Sequence, residues 1–76
     1  MKEEQIKEVI ELIKTTGNVS YRVTDLVKNI KDRDNRVFYN LDDADANFSF
    51  AYEYLFNTLV ALCDDDIVKA ETLLNK

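Results

Sequence analysis

Seventy-six residues with no histidine, tryptophan or proline, one cysteine and a net charge of −5 describe a single domain, residues 1–76. A core this small usually leans on a staple, a partner or very regular helix packing, so association with another protein or a second copy is expected. The composition excludes an internal disulfide and, within one chain, the Ser-His, Cys-His and His-ligated zinc arrangements.

The first segment, "EEQIKEVIELIK", repeats Ile6, Val9, Ile10 and Ile13 at helical spacing, with Glu3–Lys7 and Lys7–Glu11 as i,i+4 pairs on the other face. It predicts a helix near residues 3–15, and Gly17, the only glycine, falls where a left-handed cap would end it. Beyond Asn18, "VSYRVTDLVKNIKDRD" sets Val19, Val23, Leu26 and Ile30 in one helical phase, which predicts a second helix near 19–32 with Asn18 as its N-cap. The competing reading makes "VSYRV", residues 19–23, a short strand from the alternation of Val19, Tyr21 and Val23. "RDNRVFYN" breaks the pattern, so a loop or a short extended piece is expected near 36–39.

The stretch "NLDDADANFSFAYEYLF", Asn40 to Phe56, admits three readings. As a metal loop, Asp43, Asp45 and Asn47 match positions 1, 3 and 5 of an EF-hand, but Phe48 and Tyr54 stand where the glycine and the bidentate glutamate belong. No metal or cofactor is expected. As a strand, Phe48, Phe50, Tyr52, Tyr54 and Phe56 alternate with period two. As a helix, Leu41, Ala44, Phe48, Ala51, Leu55, Leu59 and Leu62 form a sustained stripe. The last reading predicts a long third helix near 41–63, capped by Asn40, with Asp42 and Asp43 in its first turn where the macrodipole favours acids. "DDDIVKAETLLNK" predicts a fourth helix near 65–75, opened by acids and with Ile67, Ala70 and Leu74 in phase. Cys63, within "LVALC", reads as a buried structural thiol. The expected fold is an all-α bundle of about four helices with one long central helix.

On that helix Phe50 and Tyr54 fall on the side facing away from the stripe, together with Asp43. Either a neighbouring helix covers them, or they form an aromatic anchor beside acids, the make-up of a protein-binding hot spot.

The charge is uneven. Residues 18–40 carry a net +2 and residues 41–76 a net −6. The expected function is a small acidic protein-binding module, an inhibitor or modulator docking on the basic, nucleic-acid-binding surface of a larger protein. Small inhibitors that act as DNA mimics, including phage-encoded anti-host and anti-CRISPR proteins, resemble it in size and charge. The candidate partner-binding residues are Asp42, Asp43, Phe50, Glu53, Tyr54, Asp64, Asp65 and Asp66, with no catalytic and no metal-ligating residue. A cytoplasmic location is the expectation from the lone cysteine, the absence of a spanning apolar run and the start "MKEEQ", which has no apolar segment behind it. The host cytoplasm is the counterpart for a virus-encoded protein.

Three other functions compete. "TTGNVSYRVTDLVKNI" resembles a helix-turn-helix entry of the Fis type, in which Gly17-Asn18 precedes a hydroxyl residue and a compact helix; the likeness implies a nucleic-acid-binding regulator. Lys28, Lys31, Arg33 and Arg36 form a basic patch interrupted by Asp32 and Asp34. A short acidic helical chain also resembles the acyl-carrier family, for which Ser49 would be the attachment residue. A carboxylate enzyme built on Asp64, Asp65 and Asp66 ranks last, because adjacent acids read more naturally as a helix start.

Overall fold

The computed structural model describes residues 2–76 and shows three helices: α1 (Lys2–Lys28), α2 (Arg36–Leu62) and α3 (Ile67–Leu74). There is no strand among the described residues. α1 and α2 are each 27 residues long, about 40 Å of helix. They pack along each other as an antiparallel hairpin measuring 46 × 20 × 18 Å, and α3 folds back over one end.

The all-α expectation holds, whereas the count of four does not. The helices expected at 3–15 and 19–32 are one continuous rod, which ends at Lys28. Residues 19–23 are helical, so the alternation of Val19, Tyr21 and Val23 does not make a strand. Gly17 does not stop the helix, and its φ is not positive. Its role is close approach: a Cβ there would lie 3.2 Å from Cε2 and 3.6 Å from Cδ2 of the Tyr52 ring on α2. Small residues at Gly17 and Ser20 let the hairpin close beside Tyr52, at a helix-propensity cost of about 1 kcal/mol for the glycine.

The loop after Lys28 is closed by side chains. The Asn29 amide donates to the Asp25 carbonyl (2.9 Å) and the Asn35 amide to the Asp32 carbonyl (3.1 Å). Asn35, extended at φ −150°, accepts the Phe38 N–H (3.0 Å) and is the N-cap of α2. The cap expected at Asn40 therefore lies five residues earlier, and residues 36–39 form the first turn of α2 instead of an extended piece. Arg33 sits over the Phe38 ring, 5.5 Å from its centroid, which ties the loop to that turn.

The core gathers at the end where all three helices meet. Ile13, Leu59, Cys63 and Ala70 are buried together, flanked by Ile6, Ile10, Leu55, Phe56, Leu73 and Leu74. Cys63 is buried and unpaired, as expected of a structural thiol. The other half of the hairpin is thinner: Val27 is buried, and the Thr24 hydroxyl donates to the Asp45 carboxylate across the interface.

α2 ends in a Schellman turn. The Asp65 N–H reaches the Val60 carbonyl (2.9 Å) and the Asp64 N–H the Ala61 carbonyl (3.2 Å). Asp64 and Asp65 are left-handed, at φ 58° and 63°, a conformation that aspartate tolerates better than most residues. Only Asp66 opens α3: its carboxylate accepts the Lys69 N–H (3.0 Å). The last helix is thus shorter than the expected 65–75, since two of the three acids belong to the turn before it.

Candidate partner-binding surface

Advancing about 100° per residue from the line that meets α1, the outer line of α2 carries Tyr39, Asp43, Phe50 and Tyr54. Phe50 is 57% and Tyr54 70% exposed. Neither α1 nor α3 covers them, which decides between the two readings left open by the sequence: they are surface residues, four apart and one turn from each other. Glu53 flanks Phe50 at i+3, and Asp42 and Asp43 lie 7–8 positions earlier, about 10–12 Å along the axis. All three acids are exposed. From Val37 to Val68 the chain has no lysine or arginine, so this face carries acids without an intervening positive charge.

Asp45 is the exception among the α2 acids. It turns inward and holds Thr24, a structural role. Tyr39, 52% exposed, belongs to the outer line and was missed by the sequence reading, because the expected helix began two residues after it. Once Asn35 is the cap, Tyr39 lies four residues before Asp43 in the same phase. Its hydroxyl donates to the Asp34 carboxylate (2.8 Å), and that contact pushes the phenol above its ordinary value of 10.0.

The eight candidate residues do not converge. Asp64, Asp65 and Asp66 sit in the turn beyond α2, with Asp64 about 15 Å past Tyr54 along the axis. Lys2 pairs with Asp64 at 2.7 Å, and its hydrogen bond and charge hold that carboxyl below the usual 3.8. Asp66 is occupied as a cap. The surface is therefore a line of about 32 Å from Asp43 to Asp64, with the aromatic pair near its middle.

Other chemistry finds little support in this geometry. Asp43, Asp45 and Asn47 stand on one continuous helix, successive members about 200° apart, so they do not wrap a shared centre. No group of three or more potential metal ligands occurs among the described residues. The stretch from Thr15 to Lys28 is uninterrupted helix, which removes the turn on which the helix-turn-helix likeness depends. Ser49 lies in the interior of α2, not at a helix start, and its hydroxyl donates to the Asp45 carbonyl (3.1 Å). No helix of the described residues is long and apolar enough to cross a membrane. Comparison with known proteins finds no matching family model, no matching curated protein and no matching solved structure.

Proposed function

We propose that the chain is a non-enzymatic protein-binding module whose outer α2 face docks on the basic, nucleic-acid-binding surface of a larger protein and blocks or modulates it. The observation that carries this reading is the exposed Phe50–Tyr54 pair, set among Asp42, Asp43 and Glu53 on a helix with no lysine or arginine after Arg36. Large aromatics one helical turn apart on an otherwise wet face offer apolar area with little side-chain entropy to lose. The carboxylates around them draw in a positive partner and repel nucleic acid. The line of about 32 Å from Asp43 on α2 to Asp64 in the turn after it is close to one turn of duplex DNA, about 34 Å, which suits a DNA mimic.

In this mechanism the acids and the aromatics act at different stages. Asp42, Asp43 and Glu53 steer the encounter, and their effect is screened by salt. Phe50 and Tyr54 lose their water in the complex and slow its dissociation. Asp65, at the far end of the line, extends the field.

Capture on the immobilised chain from its native host, followed by mass spectrometry, tests the proposal. A basic nucleic-acid-binding protein, retained stoichiometrically and displaced by duplex DNA, is the expected result. Retention of DNA or RNA itself would overturn it and return the nucleic-acid-binding alternative.

A further inference from the structure

α1 carries two adjacent stripes whose positions recur every seven residues. The one facing α2 runs Ile6, Ile10, Ile13, Gly17, Ser20, Thr24, Val27; the one beside it runs Val9, Leu12, Thr16, Val19, Val23, Leu26, continued in the loop by Ile30. In the first half of α1 the isoleucines meet α2 and α3. In the second half the facing stripe becomes small and polar, and the apolar residues move to the neighbouring stripe. Near the middle of α1, Leu74 and Asn75 line one groove with Ile13, Gly17 and Asn18. Beyond that point Val19 is 37% and Leu26 51% exposed, with Arg22, Val23 and Asn29 lining the same shallow groove.

The size of the missing contact can be judged from area. The chain exposes 5875 Å², whereas a folded monomer of 8.9 kDa typically exposes about 4,800 Å². The surplus of about 1,000 Å² is comparable to the ~800 Å² each partner contributes to a standard interface. The radius of gyration, 15.2 Å, likewise exceeds the ~11 Å usual for this length. A repeat of 3.5 residues fits another helix better than an irregular surface.

Charge indicates which helix. Residues 3–11 carry a net −3 and residues 28–36 a net +2. An antiparallel copy of α1 sets each end against its opposite. A two-fold axis near Tyr21 would place Val19 of one copy beside Val23 of the other and Thr16 beside Leu26, with Leu12 beyond the end of the other copy's α1. By the same axis Glu11 falls at the level of the other copy's Lys31, and Glu8 at that of Asp34, next to Arg33.

We infer that a second copy of this chain docks antiparallel on the Leu12–Val19–Val23–Leu26 stripe, joining two hairpins into a bundle around four long helices. Such an interface is isologous, each copy giving and receiving the same residues. It uses a face of α1 and leaves the outer line of α2 free on both copies, so it stands independently of the proposed function.

Sedimentation equilibrium of the full chain is expected to give twice 8.9 kDa across the micromolar range. Leu26→Glu, at a half-exposed position, should keep the helical circular dichroism and raise the dimer dissociation constant by about tenfold or more. Orientation is read by disulfide trapping. Leu12→Cys chains should not cross-link with each other, because the two sites lie about 27 Å apart along the axis, whereas Thr16→Cys chains should cross-link with Leu26→Cys chains. A monomer throughout, an assembly that Leu26→Glu does not weaken, or self-cross-linking of Leu12→Cys chains would each overturn the inference.

Discussion

Gly17→Ala separates a continuous α1 from a helix that breaks in the middle. In a helix interior the substitution gains about 0.8–1.0 kcal/mol of propensity. Against this, the new methyl would meet Tyr52 Cε2 at 3.2 Å, a few tenths of an ångström inside the optimal carbon–carbon distance of about 3.5–4.0 Å. The Tyr52 ring has open grooves on both sides, one lined by Ser20, Tyr21 and Ser49 and the other by Lys14, Asn18 and Leu74. It can therefore yield at small cost, and the net expectation is a gain of about 0.5 kcal/mol, or roughly 2–4 °C in midpoint for a domain of this size. Repeating the change in a Tyr52→Ala background removes the contact and should recover the full ~1 kcal/mol. Urea and thermal unfolding followed by circular dichroism measure both. A loss of 1 kcal/mol or more in the Tyr52→Ala background would mean that Gly17 is left-handed, and the uninterrupted rod would be refuted.

Three further expectations follow from the core, the turn and the acidic face. Leu59→Ala removes a fully buried side chain from the three-helix cluster and should cost about 2–5 kcal/mol in urea unfolding; a change below about 0.5 kcal/mol would place the core elsewhere. Asp64 is held below 3.8 by Lys2, so its contribution is present above the ordinary carboxylate value and lost as pH falls through the lowered one. The midpoint difference between wild type and Asp64→Asn should accordingly be constant above about pH 5 and shrink below about pH 4; a difference that grows on acidification would contradict the pairing. Neutralising Asp43 and Glu53 together should lower the association rate for the captured partner and flatten its salt dependence, with dissociation nearly unchanged in stopped-flow or surface kinetics.

The all-helical class was legible because stripes keep a helical beat from Ile6 to Ile13 and from Leu41 to Leu62, and the second outlasts the period-two alternation of Phe48 to Phe56 that lies within it. The boundaries were less legible for local reasons. Gly17-Asn18 is chemically a good helix end, and only the nearness of Tyr52, far along the chain, explains a glycine inside the helix. Asn35 and Asn40 are equally good caps by type; the choice depends on Phe38 and Arg33 packing at the loop, a contact that no periodicity encodes. The three consecutive aspartates were read together as a helix start, yet the turn geometry gives them three duties: pairing with Lys2, completing a left-handed closure and capping α3. For the candidate surface, helical phase already set Phe50 and Tyr54 apart from the stripe. Their exposure depended on where α3 lies, and its packing on the far end of α2 leaves them uncovered.

The claim that Phe50 and Tyr54 form the binding anchor is tested most directly by a Phe50→Ala/Tyr54→Ala double variant, assayed for thermal unfolding and for affinity to the captured partner. The variant should keep a helical spectrum and a midpoint near that of the wild type, because both side chains are exposed. Affinity should fall by at least about 30-fold, the equivalent of 2 kcal/mol, mainly through faster dissociation. An unfolded variant would assign these residues to the core, and a folded one with unchanged affinity would place the partner on another face.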